Sequence, residues 1–475
     1  MRFFFAIFFY LDTDLCILFM PRCRSLHPIH GASMPSIKPG IPKGTRDFLP
    51  QQMKQRLGVM KVIREVYEKH GFLPIETPAI ENIETLMGKY GEEGDQLLFK
   101  ILMRGAKAAS GQCDLGLRYD LTVPLSRFVA MHQNEIGRIF KRYQMQPVYR
   151  ADRPGHGRFR EFYQCDIDMI GAPAPIPEIE LLHAVSDVFK TLNFDKLAIH
   201  INDRRILRAM IAVAGIDEAL ETTAITAIDK LDKIGNDGVL KELAQRGIAP
   251  ESAQKLLSLL EVKEDNAATL ANMESIFANH EDAMNAIREL RIIVEASSAF
   301  DDGVKVRVSP ELARGLNYYT GAIFEIQAEG LNSSIAGGGR YDHLIGMFSG
   351  RDIPAVGISL GFERICVIMQ ERGMFQDVES SVDVVVAPAC AAALNAAFEF
   401  SSIARNLGFS AEVYPGFDKL AKQFKYANER KATFVAVFGE DELAQNAVTV
   451  KNMTTGEQKT MKIDEVESFM LRKMS

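Results

Sequence analysis

Residues 149–171 read YRADRPGHGRFREFYQCDIDMIG, with four arginines (Arg150, Arg153, Arg158, Arg160) around a Pro154-Gly155 break. From Phe162 to Ile170 the pattern alternates toward apolar. The spacing predicts strand, charged turn, strand. Such a hairpin can grip phosphate, because the planar fork of arginine meets two phosphate oxygens at once. A solvated loop between ordinary strands leaves the same local signature, so the flanking chain has to separate the two.

Working outward, 475 residues exceed what one hydrophobic core holds, and roughly two to four domains are expected. The chain is 47% hydrophobic and 25% charged, as in a soluble globular protein. Its net charge of −7 excludes a globally basic nucleic-acid binder. A nucleic-acid partner must be met by a local basic surface. The cysteines (Cys16, Cys23, Cys113, Cys165, Cys366, Cys390) form no CxxC pair and no spaced Cys/His cluster. That argues against zinc and against a disulfide framework, and it fits a reducing cytoplasm. No metal ligation by protein side chains is expected.

The first 33 residues differ from the rest. Phe3 to Leu11 is strongly apolar, Asp12 and Asp14 interrupt, and a second apolar run ends at Met20. The apolar length suits a signal peptide, but two acids sit mid-segment and no small-residue cleavage site follows. The run is too short to span a membrane. The expectation is an upstream start, with Met34 as the natural first residue and 1–33 unstructured. Nothing after Met34 reads as transmembrane.

After a Pro/Gly-rich lead-in at 38–50, Gln51 to His70 reads as a helix with Leu57, Met60, Ile63, Val66 and Tyr67 on one stripe, ended by Gly71. Gly71 to Ile80 is extended and holds Pro74 and Pro78, which suits a sheet edge because proline cannot donate to the ladder. A helix feeding such an edge is either a dimer surface or an ordinary kinked strand. Leu97–Met103 and Leu115–Tyr119 read as strands, and a helix follows from Val123 to about Asn134. Asp120 or Thr122 either caps that helix or faces a pocket. A helix is expected at 177–189 and a strand at 196–201. From Arg204 to Ser298 the pattern is helical, with breaks at Gly235, Gly238 and Gly247. No chemistry is legible in that insertion. Strand pattern resumes at Val304, and Arg314 with Tyr318 and Tyr319 precedes the apolar run 322–326. Gly337-Gly338-Gly339 permits close backbone approach but matches neither a dinucleotide fingerprint nor a P-loop. Gly357 to Arg364 passes from strand to helix, and 371–381 reads as a linker. Beyond it, strands alternate with helices in a separate α/β domain with a mixed sheet. The helix at 418–429 is rich in lysine, including Lys419 and Lys422.

Three of these stretches together resemble the signature motifs of class II aminoacyl-tRNA synthetases: the glycine–strand–proline unit Gly71–Pro78, the arginine hairpin Tyr149–Asp166, and the Gly-Phe-Glu-Arg turn Gly361–Arg364. Leu117-Arg118-Tyr119-Asp120-Leu121-Thr122 and Arg314-Gly315-Leu316-Asn317-Tyr318-Tyr319-Thr320-Gly321 look like the two histidine-specific signatures of the histidyl-tRNA synthetase family. The resemblance runs from about Ile41 to the C-terminus.

It implies an α/β chain with an α+β catalytic domain (34–203 and 299–372) built on an antiparallel sheet flanked by helices. A helical insertion domain (204–298) and an α/β anticodon-binding domain (382–475) complete it. The implied activity is a ligase reaction, ATP-dependent attachment of L-histidine to tRNA(His) in a cytoplasmic homodimer, with Mg²⁺ entering on ATP. Carried over residue by residue, Arg150 and Arg314 are catalytic at the α-phosphate. Arg158 and Arg364 hold the outer phosphates, and Phe162 stacks on adenine. Asp120, Thr122 and Gln164 bind the α-amino group. Asp168 and Tyr319 meet the imidazole, with Tyr318 and Tyr341 beside it. Arg153 at the loop tip and Lys419 and Lys422 in the last domain contact tRNA. The sequence departs from the class pattern at Asp152, where glutamate is usual, and at Ser359, where the third motif often has glycine. The alternative implied function is an inactive relative used as a regulatory subunit or sensor, which keeps the fold and loses the arginines.

Overall fold

The arginine-rich stretch is the return strand of a long hairpin. Phe140–Tyr149 pairs antiparallel with Glu161–Ile170 in unbroken register, from Phe140 opposite Ile170 to Tyr149 opposite Glu161. The computed structural model describes residues 38–155, 157–300, 303–315, 318–329, 334–375 and 382–466. Expectations for residues 1–33, His156, Leu316-Asn317, the linker from 376 to 381 and the chain after 466 fall outside these. Residues 1–42 and 43–475 form separate units. In the first, residues 38–42 carry no helix or strand.

In chain order the strands are β1 (Leu73–Pro74), β2 (Ile80–Asn82), β3 (Lys100–Leu102), β4 (Cys113–Leu117), β5 (Phe140–Tyr149), β6 (Glu161–Ile170), β7 (Leu197–Asp203), β8 (Val304–Val308), β9 (Ala322–Ala328), β10 (Ala336–Arg340), β11 (Ala355–Gly361), β12 (Val384–Pro388), β13 (Ala411–Val413), β14 (Phe434–Phe438), β15 (Ala447–Asn452) and β16 (Gln458–Lys462). The main sheet runs β1-β5-β6-β11-β10-β9-β7-β8. It is antiparallel except at its edges, where β1 lies parallel to β5 and β8 parallel to β7. As the prolines require, the Gly71–Ile80 segment lies at a sheet edge.

Period-two alternation splits this sheet into a dry face and a polar face. Cys165, Ile167 and Met169 of β6 join a core with Ile63, Val66 and Tyr67 of the helix Pro50–Lys69 and Val185, Val188 and Phe189 of the helix Ile176–Thr191. Burying each large apolar side chain contributes about 1.5–3 kcal/mol. Leu57, expected on the buried stripe of the first helix, is 52% exposed, and Arg56 is buried instead. The reason is helical geometry: at about 100° per residue, Leu57 points roughly 120° away from Ile63 at the centre of the buried stripe, whereas Arg56 falls within about 20° of it. Arg56 is accommodated there by two hydrogen bonds to the buried Glu363, at 2.6 and 2.7 Å.

The insertion is helical in its regular elements from Arg204 to Ala296. Asp203 caps the first of these helices through Arg205 N at 2.8 Å, and Asp265 caps Asn266–Ile276 through Ala268 N at 2.7 Å. Its apolar side chains, such as Leu207, Met210, Leu290 and Ile293, run into the core beneath the sheet without a gap. Gly235 has φ +66°, a break inside Leu231–Gln245. Gly238, expected as a second break, stays helical because its neighbours satisfy the helical ladder around it. The last domain is a mixed sheet, β13-β12-β14-β15-β16, with cores of its own around Phe400, Phe434 and Phe438 and around Val385, Ala427 and Val435. No described helix is long and apolar enough to cross a membrane.

Candidate active site

The polar face of the sheet floors a cavity of about 610 Å³. Gln164, Asp166 and Asp168 stand at alternate positions of β6, so all three project to that face. Opposite them on β11 lie Gly361, Ser359 and Gly357, and next on β10 come Gly337 and Gly339. The glycines are steric necessities. A Cβ on Gly357 would lie 1.9 Å from Asp168 Oδ1, and one on Gly337 would lie 2.1 Å from Arg314 Nη1. A Cβ on Gly338 would meet the Gly357 carbonyl oxygen at 1.9 Å. The triple glycine therefore makes room for a neighbouring strand and for a functional arginine together.

Asp168 is 2% exposed. The Tyr341 hydroxyl donates to its Oδ1. Arg142 Nη2, from the partner strand, lies 2.7 Å from its Oδ2 without an aligned hydrogen bond. Burial raises the carboxyl pKa, and Arg142 only partly opposes this. Asp166 is raised for the same reason, with Asp168 adding to it. Gln164 Nε2 donates to Ser359 Oγ at 3.0 Å. Buried acceptor atoms with no hydrogen-bond donor line this strand face: Gln164 Oε1, Asp166 Oδ1 and Asp168 Oδ2.

Asp120 is both a cap and a wall of the cavity. Its Oδ1 accepts from Val123 N at 3.1 Å, in the first turn of the helix Thr122–Met131, and from Tyr90 Oη at 3.1 Å. Its Oδ2 accepts from Tyr318 Oη at 3.4 Å. Burial raises its pKa against these bonds and against Arg150. Tyr318 packs on Tyr319 and Tyr341, with ring centroids 4.9 and 6.1 Å away.

Arg150 Nε donates to the Tyr119 carbonyl at 3.1 Å, and its guanidinium lies over the rings of Tyr119 (4.3 Å) and Phe162 (5.3 Å). Arg158 donates to Asp152 Oδ1 at 2.7 Å, so the aspartate in place of the usual glutamate holds an arginine of the cavity. Arg314 donates to the Phe324 carbonyl at 3.1 Å and stands 3.7 Å from Glu325 Oε2. Burial opposes its charge, but Tyr319, Glu325 and Asp229 outweigh this and raise its pKa. Arg364 donates to the Ser334 carbonyl, and burial lowers its pKa.

Every candidate catalytic, histidine-binding and ATP-binding side chain thus lines one cavity. The tRNA candidates do not. Arg153 is exposed at the hairpin tip, and Lys419 and Lys422 lie in the last domain. Lys422 pairs with Asp418 at 3.0 Å and Lys425 with Glu429 at 3.9 Å, so the lysine-rich face is partly neutralised.

Sequence reasoning missed four participants. Asp166 was recoverable from the alternation Gln164-x-Asp166-x-Asp168, and Glu325 from being the acid in an apolar strand. Arg142 looks like any surface arginine in sequence, yet it is fully buried beneath Asp168. Lys233, from the insertion in which no chemistry was legible, lines the cavity. Arg118 of the Arg-Tyr-Asp motif is structural. It is 1% exposed and binds the carbonyls of Thr77 (2.7 Å) and Pro147 (2.8 Å).

Known proteins are similar to this chain in sequence and fold. The family model described as histidyl-tRNA synthetase matches residues 44–365, and that described as anticodon binding domain matches 383–473. A protein of Phocaeicola vulgatus named histidine–tRNA ligase is 42% identical over 448 residues, spanning 90% of this chain and 98% of its own. One of the same name from Porphyromonas gingivalis is 43% identical over 446 residues, with the same coverage. The crystal structure of histidyl-tRNA synthetase from Nostoc sp. PCC 7120 superposes with a TM-score of 0.75 at 29% identity, over 92% of this chain and all of that one. A Bacillus halodurans structure described as an ATP phosphoribosyltransferase regulatory subunit/histidyl-tRNA synthetase has TM-score 0.68 at 21% identity, covering 82% of this chain and 97% of that one, and shows a shared fold only. With one family match over residues 44–365, a second over 383–473, and relatives above 40% identity over 90% of its length, this chain belongs to the histidyl-tRNA synthetase family.

Proposed function

We propose that the protein is a histidine–tRNA ligase that joins L-histidine to tRNA(His) through a histidyl-adenylate. The observation that carries this reading is a row of buried acceptors on β6, with Gln164 Oε1 and Asp166 Oδ1 donorless beside the Asp168 carboxyl, in a cavity that Arg150, Arg158, Arg314 and Arg364 also line. Free histidine brings an ammonium and an imidazole N–H to such a row, and ATP brings phosphates to the arginines.

In the first step a histidine carboxylate oxygen attacks the α-phosphorus of MgATP. The bond from that phosphorus to the bridging oxygen breaks, and pyrophosphate leaves with the electron pair. Such a reaction needs reactants held in line and positive charge where negative charge gathers. In this reading Arg150 and Arg314 flank the α-phosphate, Arg158 and Arg364 hold the outer phosphates, and Phe162 stacks on adenine. Asp120, Thr122 and Gln164 take the ammonium group. Asp168, fixed by Tyr341, takes the imidazole beside Tyr318 and Tyr319. Apolar analogues leave these buried groups unpaired, which is how such a site rejects them by factors on the order of 10⁴. In the second step the adenylate passes histidine to the terminal ribose of the tRNA, and AMP leaves.

The body 34–203 with 299–372 is the catalytic domain in this reading, 204–298 the insertion, and 382–475 reads the anticodon. Arg153, Lys419 and Lys422 contact tRNA. The protein acts in the cytoplasm as a homodimer. Exposed apolar side chains on the first helix and the adjoining edge, namely Leu57, Leu73 and Ile80, support that interface. A regulatory subunit would have no use for Arg150, Arg158, Arg314 and Arg364 in one cavity, and their joint presence favours the ligase. Pyrophosphate–ATP exchange tests this. Exchange with histidine and with no other amino acid is expected, and its absence sinks the ligase reading.

A further inference from the structure

The helical insertion contributes one exposed cation, Lys233, to the lining of the cavity. Lys233 lies in Leu231–Gln245, two residues before Gly235 bends that helix with φ +66°. Just upstream, Asp229 ends the helix Glu221–Ile228, and its Oδ2 lies 3.3 Å from the place a Cβ on Gly315 would occupy. The junction between these two helices is therefore seated on the Arg314-Gly315 peptide.

Two lysines of this junction differ in their surroundings. Lys230 is tied to Glu242 at 2.7 Å. The Lys233 side chain is exposed and makes no hydrogen bond or ion pair among the described residues, although it lines the same cavity as Arg314, Glu325 and Arg364. The acids facing this corner are Asp229 and Glu325, and Glu325 already stands 3.7 Å from Arg314. Asp229 feels Arg314 first and Lys233 second, so Lys233 shares that acid with Arg314 and has no dedicated ion-pair partner among the described residues, in a cavity that Arg314 and Arg364 also line. A lysine is a compact, strongly hydrated point charge with three donors, suited to phosphate oxygens spread over several positions.

We infer that Lys233 binds the β- and γ-phosphates of ATP and meets the charge carried off by pyrophosphate. This rests on the ligase reading. When the bond between the α-phosphorus and its bridging oxygen breaks, the electron pair goes to pyrophosphate. A cation fixed there stabilises the leaving group more as bond breaking proceeds. The insertion then serves the first step directly, and its seat on Gly315 keeps Lys233 and Arg314 at a set spacing.

The test is titration of inorganic pyrophosphate, AMP and histidine separately into the full-length protein by calorimetry, for wild type, Lys233→Met and Lys233→Arg. Lys233→Met is expected to weaken pyrophosphate binding about 10- to 100-fold, the size of one charged contact to phosphate. AMP and histidine affinities should hold, and Lys233→Arg should recover most of the loss. Unchanged pyrophosphate affinity in Lys233→Met, or no pyrophosphate binding by wild type, overturns the inference. So does an equal weakening of all three ligands, which marks a general distortion. Absence of histidine-dependent exchange in wild type overturns the ligase reading instead, and leaves the pyrophosphate comparison as an independent result.

Discussion

Arg314 owes its position to an atom that is missing across from it. A methyl group on Gly337 would sit 2.1 Å from its guanidinium, so Gly337→Ala is expected to push the arginine out. Exchange should then fall about 10²- to 10³-fold, as when one transition-state donor is lost. Stability should drop by about 1–3 kcal/mol from overpacking. Arg314→Ala should show the same loss of exchange with histidine affinity retained, which calorimetry separates from a binding defect. The buried carboxyls give a pH signature. Burial raises the folded-state pKa of Asp166 above its unfolded value. The native state therefore holds a proton that the unfolded chain has shed, and stability falls as pH climbs from the ordinary carboxylate range through the raised value. Asp166→Asn should flatten that decline, making the ligand-free variant more stable than wild type at pH 8 in urea titrations. An unchanged slope would mean that Asp166 stays ionised against Arg142.

At the scale of elements, the hairpin β5–β6 was legible because its signals are local: alternation, a Pro-Gly break and a cluster of one charge. The glycine strand β10 and the Gly357–Arg364 turn were legible as exceptions to ordinary strand composition. What escaped the sequence is contact across long separations. Glu363 follows Phe362 in a motif, but its role is to bind Arg56, 307 positions earlier, through two hydrogen bonds, and to accept from Tyr163 N at 3.3 Å. That knot joins the first helix to the strand bearing Gln164 and Asp168. Glu363→Ala leaves Arg56 buried without a partner and should cost about 3–5 kcal/mol, read by chemical denaturation. Leu57 escaped for a simpler reason: it is spaced three residues from Met60 but points roughly 120° away from Ile63, at the edge of the stripe, where the helix already faces outward. If that exposed side chain lies in a dimer interface, Leu57→Asp combined with Leu73→Asp should yield monomers in sedimentation equilibrium.

Across the whole molecule, a net charge of −7 has to coexist with a polyanionic partner. If tRNA is met by local cations such as Arg153 and Lys419, as proposed above, the KM for tRNA should rise steeply with salt while that for histidine stays nearly flat. Equal salt dependence would argue against discrete basic contacts. The last domain has cores separate from the catalytic body, so substitutions of Lys419 and Lys422 should lower charging of tRNA and leave exchange intact. One consequence concerns how such a site can change over generations. Where the cavity is walled by Gly337, Gly338 and Gly357, the wall is already bare main chain, and every substitution there adds atoms. Mutation can only shrink the chamber on that side. A descendant that accepts a larger amino acid has to whittle down the tyrosines and carboxylates that also line the cavity, the same groups proposed above to recognise histidine. New specificity therefore begins with loss of the old, and drift toward a roomier substrate passes through an enzyme that charges nothing well.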